Sequence, residues 1–164
     1  AYLALMLRTG QWKGLCTQDV AYAMDCPAPR VALGQFLAHH ATACADISDG
    51  FLQDLGNILT RSSVGARINI DDLAVSDALR ARSCDERRQA QLAGGDDYEL
   101  VWTAPVQARE AITEFEKTSR LRGKPLVLSR VGTVIPGGLI LIDKNGCEVA
   151  NTFRGFDHFA NENV

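Results

Sequence analysis

Two carboxylates and a hydroxyl fall within four residues in the stretch Asp46-Ile47-Ser48-Asp49-Gly50. In an extended segment side chains alternate, so Asp46 and Ser48 share one face and Ile47 takes the other. Asp49 or Ser48 is placed to cap a following helix, and Gly50 relieves crowding in the turn. The start of a helix attracts phosphate. Two carboxylates there would repel it unless a divalent cation lies between. Such oxygen ligands suit Mg²⁺, which takes a few carboxylates and completes its shell with waters and substrate phosphates. The stretch therefore reads either as a metal-bridged phosphate site or as an ordinary capped helix start with a solvated acid beside it.

A second acidic cluster lies in Gly94-Gly95-Asp96-Asp97-Tyr98-Glu99. Paired glycines permit left-handed backbone or close approach to a ligand. Three carboxylates within four residues repel one another unless water, a cation or a ligand neutralises them. The bland alternative is an acidic surface loop. Other reactive residues carry less. His39 and His40 are adjacent, so they do not face one metal, and they suit the end of a helix, where cations are favoured. Arg80, Arg82, Arg87 and Arg88 fit a solvated helix face. The acidic turn at Asp71-Asp72 fits the start of a short helix.

Hydrophobic spacing supplies the elements that position these residues. Ala43-Cys44-Ala45 is apolar enough for a strand leading into Asp46. Phe51, Leu52, Leu55, Ile58 and Leu59 then recur at helical spacing, so the first acidic motif sits where a strand passes into a helix. The spacing predicts further helices over residues 1–8, 18–24, 30–40, 76–82, 85–92 and 105–121. Strands are expected at 66–70, from about 98 to 104, at 126–135 with an interruption at Gly132, and at 139–142 and 147–150. The last two form a hairpin about Asn145-Gly146. This mixture of periods predicts one α+β domain, a mixed sheet flanked by helices. The aromatic tail, Phe153-Arg154-Gly155-Phe156-Asp157-His158-Phe159, is expected to dock on the domain. The apolar run that opens the chain has no cap ahead of it, as expected of a fragment whose preceding strand and loop are missing.

The chain's 164 residues suffice for one domain with a real core. Its formal net charge of −3 argues against a general nucleic-acid binder. No apolar run reaches the length of a membrane span. The five cysteines are scattered and contain no C-x-x-C pair, which points to neither a zinc site nor a disulfide framework, and a cytoplasmic setting is the simplest fit.

Five motifs occur in order: Pro27-Ala28-Pro29-Arg30; Asp46-Ile47-Ser48-Asp49-Gly50 with Asp54-Leu55; Gly65-Ala66-Arg67-Ile68; Gly94-Gly95-Asp96-Asp97-Tyr98-Glu99-Leu100; and Gly155-Phe156-Asp157-His158-Phe159. Together they closely resemble the C-terminal half of the thiamine-monophosphate kinases, whose superfamily includes aminoimidazole ribonucleotide synthetase and selenophosphate synthetase. The resemblance covers nearly the whole chain. It implies the α+β fold of the C-terminal domain of aminoimidazole ribonucleotide synthetase, and a single domain over residues 1–164 from a two-domain kinase. It further implies that the N-terminal ATP- and Mg²⁺-binding half, and this domain's first strand and Gly-rich loop, lie outside the sequence.

The implied reaction moves the γ-phosphate of ATP onto thiamine monophosphate, with Mg²⁺ and without a protein nucleophile. By resemblance, Asp46 and Asp49 bind metal, Ser48 touches ATP, and Asp96 and Phe156 contact thiamine monophosphate. Position 96 usually holds Glu in the family, so the reach of this acid is one methylene shorter. The implied whole protein is a homodimer, mainly through its N-terminal half, with no nucleic-acid or membrane partner. The nearest rival reading is another ATP-using member of the same superfamily, and two other classes compete. Gly94-Gly95-Asp96-Asp97-Tyr98 echoes the signature of diguanylate cyclases, but that signature sits at a hairpin tip and carries Glu-Phe where this chain has Asp97-Tyr98. A binding or assembly domain that kept the fold without chemistry is the other. Joint retention of Asp46, Ser48, Asp49 and Asp96 counts against it.

Overall fold

A computed structural model describes residues 1–153. Phe156 and the rest of the tail motif, predicted to dock, lie outside the described residues. Seven α-helices and eight short strands make up the regular structure of the described residues, with two short 3-10 turns. The helices are α1 (Tyr2–Arg8), α2 (Gln18–Asp25), α3 (Val31–Leu37), α4 (Phe51–Arg61), α5 (Asp77–Arg80), α6 (Cys84–Ala93) and α7 (Arg109–Thr118). The strands are β1 (Ala43–Asp46), β2 (Gly65–Asn69), β3 (Leu100–Thr103), β4 (Arg120–Leu121), β5 (Lys124–Pro125), β6 (Gly132–Ile135), β7 (Leu139–Ile142) and β8 (Glu148–Val149). The α+β reading holds. The predicted mixed sheet is the four-stranded one, in order β6-β2-β7-β8, with β2 and β7 parallel and the other neighbours antiparallel. Strands β1 and β3 form a separate antiparallel pair.

Helix α4 joins the two sheets. Its apolar positions give one face, and Phe51, Leu52, Leu55, Ile58 and Leu59 are all buried. They meet Ala66 and Ile68 of β2, Val101 of β3, Leu141 of β7 and Leu92 of α6 in one core. Each such side chain contributes roughly 1.5–3 kcal/mol by leaving water. The same packing turns the inner face of β1 toward the core: Ala43 and Ala45 pack on it, while Cys44 and Asp46 are exposed. Helix α6 starts with a capping box, in which Ser83 and Glu86 satisfy each other's backbone N–H. It delivers Gly94 and Gly95 beside the end of β1.

Two expectations change. Residues 126–131 are not strand, and β6 begins at Gly132 instead of being interrupted there. The amide of Leu128 donates to the Glu116 carboxylate of α7 (2.8 Å), and the Val131 carbonyl accepts from Asn69, so this backbone is satisfied outside a regular ladder. Gly132 is required at the strand start, because a Cβ there would lie 2.3 Å from the Arg67 carbonyl oxygen. The helix predicted over 105–121 ends at Thr118 and is followed by a small hairpin, β4–β5. Its turn residues, Arg122 and Gly123, both have positive φ, as a two-residue turn of the primed type demands. The hairpin at Asn145-Gly146 is present as predicted, with the Asp143 carboxylate accepting from the amides of Asn145 and Cys147, both at 2.9 Å.

Candidate active-site rim

The two acidic motifs meet. Strand β1 ends at Asp46 and β3 begins at Leu100, paired with it. Beyond that pair the backbone continues as a zipper between the two loops. Ile47 donates to the Glu99 carbonyl (2.8 Å), Tyr98 donates to the Ile47 carbonyl (2.9 Å), and Asp96 donates to the Ser48 carbonyl (2.8 Å). Asp46, Ser48, Asp49 and Asp96 therefore come together, although about fifty residues separate the two motifs in sequence. Asp46 and Asp96 are exposed, and Ser48 and Asp49 are half-buried.

The glycine pair makes this contact possible in a way the sequence did not reveal. Neither Gly94 nor Gly95 has positive φ. A Cβ on Gly95 would lie 2.3 Å from the Ser48 carbonyl oxygen, and one on Gly94 would lie 2.4 Å from the Ala90 carbonyl oxygen. They serve close approach to backbone. The left-handed residues are instead Asp96 (φ 61°) and Tyr98 (φ 51°). For a tyrosine this is a sparsely populated region, of the kind that persists at functional sites when the surroundings over-determine it.

The helix start also differs from expectation. Neither Ser48 nor Asp49 caps α4; the N-cap is Gly50, with no side-chain capping bond. Asp54, one turn into the helix and 5% exposed, fills that role from within. Its Oδ2 accepts from the amides of Ser48 (3.0 Å), Asp49 (3.1 Å) and Gly50 (3.2 Å). An acid on the apolar face of an amphipathic helix was the available sequence signal. Asp49 accepts from Gln53 Nε2 at 3.4 Å.

Charge at the rim is strongly negative. Tyr98 donates its hydroxyl to Asp96 (3.3 Å). The charge of Asp96, that hydrogen bond, partial desolvation and the carboxylates of Asp46 and Asp49 push the phenol above its usual range, so it stays protonated and able to donate. Cys44 shares the outer face of β1 with Asp46. Burial first, and the Asp46 charge second, push its thiol up. Cys44 therefore remains an uncharged thiol at neutral pH. One basic group braces the loops from outside: Arg30, launched by the Pro27-Ala28-Pro29 segment, forms a bidentate ion pair with Glu99.

Among the described residues no group of three or more His, Cys, Asp or Glu could hold a metal. Asp46 and Asp49 are nevertheless the residues that could hold a Mg²⁺ that keeps waters and takes phosphate oxygens, because hard oxygen donors in small number are what that ion accepts. Two surface grooves, of about 250 and 270 Å³, lie on the sheets elsewhere and include none of these residues. The Gly-Gly-Asp motif follows helix α6 and is no hairpin tip, which removes the basis for the cyclase reading.

The family model for AIR synthase related protein, C-terminal domain, matches residues 13–144, and the chain belongs to this family. Within it, the chain is 36% identical over 136 residues to thiamine-monophosphate kinase of Salmonella typhimurium and 37% identical over 135 residues to that of Escherichia coli strain K12. Each match covers 82% of this chain and 40% of the relative, so the chain spans less than half the length of these curated relatives. A crystal structure of thiamine-monophosphate kinase from Stenotrophomonas maltophilia K279a superposes with a TM-score of 0.75 at 36% identity, covering 84% of this chain and 45% of that one. AaThiL, complexed with AMPPCP and TMP, shares the fold with a TM-score of 0.72 at 22% identity, over 96% of this chain and 47% of that one. No helix among the described residues is long and apolar enough to cross a membrane.

Proposed function

We propose that this chain is the C-terminal half of an ATP-dependent kinase that converts thiamine monophosphate to thiamine diphosphate. The bond between the β,γ-bridging oxygen of ATP and its γ-phosphorus breaks. A terminal oxygen of thiamine monophosphate takes the phosphoryl group, and ADP leaves. The observation that carries this reading is the backbone zipper between residues 46–48 and 96–99, which brings the Asp46–Asp49 pair and Asp96 onto one rim. Kinship with thiamine-monophosphate kinases at 36–37% identity supports the substrate.

Transfer between phosphates asks a protein for positioning and charge neutralisation, and no side-chain nucleophile is needed. Bound Mg²⁺ would offset the phosphate charge and align the reacting oxygens. Asp46 and Asp49 are the residues we assign to hold it, with Ser48 donating its hydroxyl to ATP. Asp96 faces the acceptor, where a carboxylate attracts the cationic thiazolium. Tyr98 holds Asp96 in place through its hydroxyl. Phe156, assigned as the aromatic surface for the acceptor ring, belongs to the undescribed tail. The remaining ligands are assigned to an N-terminal half that also forms a homodimer, in a cytoplasmic enzyme. The test is a phosphotransfer assay of the full-length protein with ATP, Mg²⁺ and thiamine monophosphate. Equal amounts of ADP and thiamine diphosphate are expected. ATP turnover that ignores thiamine monophosphate and responds to another acceptor overturns the substrate assignment.

A further inference from the structure

Three consecutive amides, those of Ser48, Asp49 and Gly50, converge on one point. Successive N–H groups aimed together form a concavity that ordinarily receives an anion, and it lies here at a helix N-terminus, where negative charge is favoured. In this protein the position is already taken by the buried carboxylate of Asp54. That occupancy has two consequences. These three amides are closed to a phosphate, so what residues 46–50 offer a nucleotide is the Ser48 hydroxyl and the Asp46 and Asp49 carboxylates. In addition, the backbone that carries Ser48 and Asp49 is pinned at three points by a residue that itself faces the core.

We propose that Asp54 is the positioning residue of the metal-ligand loop: it closes the amide nest to phosphate and so makes binding of the nucleotide phosphates at this loop depend on the metal. The reasoning rests on the function proposed above. Gly50, at φ 126° and ψ 148°, makes the sharp entry into the helix and offers no capping side chain. Without Asp54, nothing among the described residues replaces these three bonds. Residues that hold a metal's ligands in place typically change metal affinity by about 10–100-fold when altered.

The test compares Asp54→Asn and Asp54→Ala with the wild type in the full-length protein. Asn keeps the shape and one acceptor oxygen but loses the charge, whereas Ala empties the nest. The Mg²⁺ concentration for half-maximal rate is expected to rise about ten-fold or more in Asp54→Ala and less in Asp54→Asn. KM for thiamine monophosphate should stay within about two-fold of wild type, since the zipper to Asp96 uses the Ile47 amide and the carbonyls of Ile47 and Ser48, none of which Asp54 touches. A merely structural loss would lower the amount of active enzyme and leave both constants unchanged.

Amide exchange at residues 48–50 is the second readout and needs no activity. These amides should be protected in the wild type with or without inorganic phosphate. In Asp54→Ala they should be exposed, and inorganic phosphate should protect them. If Asp54→Ala does not fold, Asp54→Asn carries the test alone through its Mg²⁺ dependence and faster exchange. Wild-type Mg²⁺ dependence in the folded variants, or phosphate-sensitive exchange in the wild type, overturns the role of Asp54. A wild-type protein without phosphotransfer overturns the proposed function instead, and the exchange measurements still decide whether Asp54 closes the nest.

Discussion

Gly95→Ala tests the zipper most directly. The added Cβ would lie 2.3 Å from the Ser48 carbonyl oxygen and 3.3 Å from its carbon. An ordinary carbon–oxygen contact is about 1 Å longer than the first of these. Because the obstacle is backbone and not the end of a flexible side chain, one loop must move by about that amount. The same carbonyl accepts from the Asp96 amide at 2.8 Å, so this hydrogen bond breaks or lengthens with the shift. Losing it and leaving its partners poorly paired costs roughly 1–3 kcal/mol. For a chain of this size that lowers the melting temperature by about 2–12 °C. The larger effect is on catalysis, since a misplacement of about 1 Å between reacting groups can cost on the order of 100-fold in rate. Steady-state kinetics of full-length Gly95→Ala, with a melting curve, should therefore show kcat reduced out of proportion to the loss of stability. A variant with near-normal kcat and an unshifted melting temperature would refute the idea that this contact sets the spacing of the two acidic loops.

Gly56 lies inside α4 with open space around its missing Cβ, so Gly56→Ala should stabilise the chain by about 0.5–1 kcal/mol, seen as a higher melting temperature. A lower melting temperature counts against the helix geometry. Asp46→Asn and Asp49→Asn in the full-length protein should each lower kcat by about two orders of magnitude or more, with melting unchanged, because each removes charge that balances phosphate. Near-normal kcat and Mg²⁺ dependence in either variant removes that residue from the metal site. Three carboxyl groups are held below their usual range: Glu86 by hydrogen bonding to Arg82, Asp25 by Arg8, and Asp143 chiefly by the Cys147 amide. A depressed folded-state value means the stabilisation is complete above the unfolded value near 4 and is lost as pH falls through the folded one. Melting temperature should thus hold down to about pH 5 and decline below about pH 4, less steeply in Glu86→Gln. Equal slopes in variant and wild type remove Glu86 from the effect.

The local elements around the site were legible in the sequence because they rest on periodicity and on residues with few alternatives. The apolar spacing from Phe51 to Leu59 fixes a one-faced helix, and the alternation from Ala43 to Asp46 fixes which way Asp46 points. Asn145-Gly146 fixes a hairpin turn. Residues 126–131 misled because an apolar, β-branched run satisfies a strand pattern, whereas its backbone finds partners in Glu116 and Asn69 that are distant in sequence. The Arg122-Gly123 turn lacks the Asn or Asp that marks such turns. What only the tertiary structure decided is the site itself. Which residue caps α4 depended on Asp54 folding back onto three amides, a contact no spacing rule assigns. The purpose of Gly94 and Gly95 depended on which backbone lies against them. The union of the Asp46–Asp49 loop with Asp96 depended on β1 pairing with β3. Such pairing couples segments through backbone groups common to nearly every residue, so the sequence identifies both strands without stating that they are neighbours.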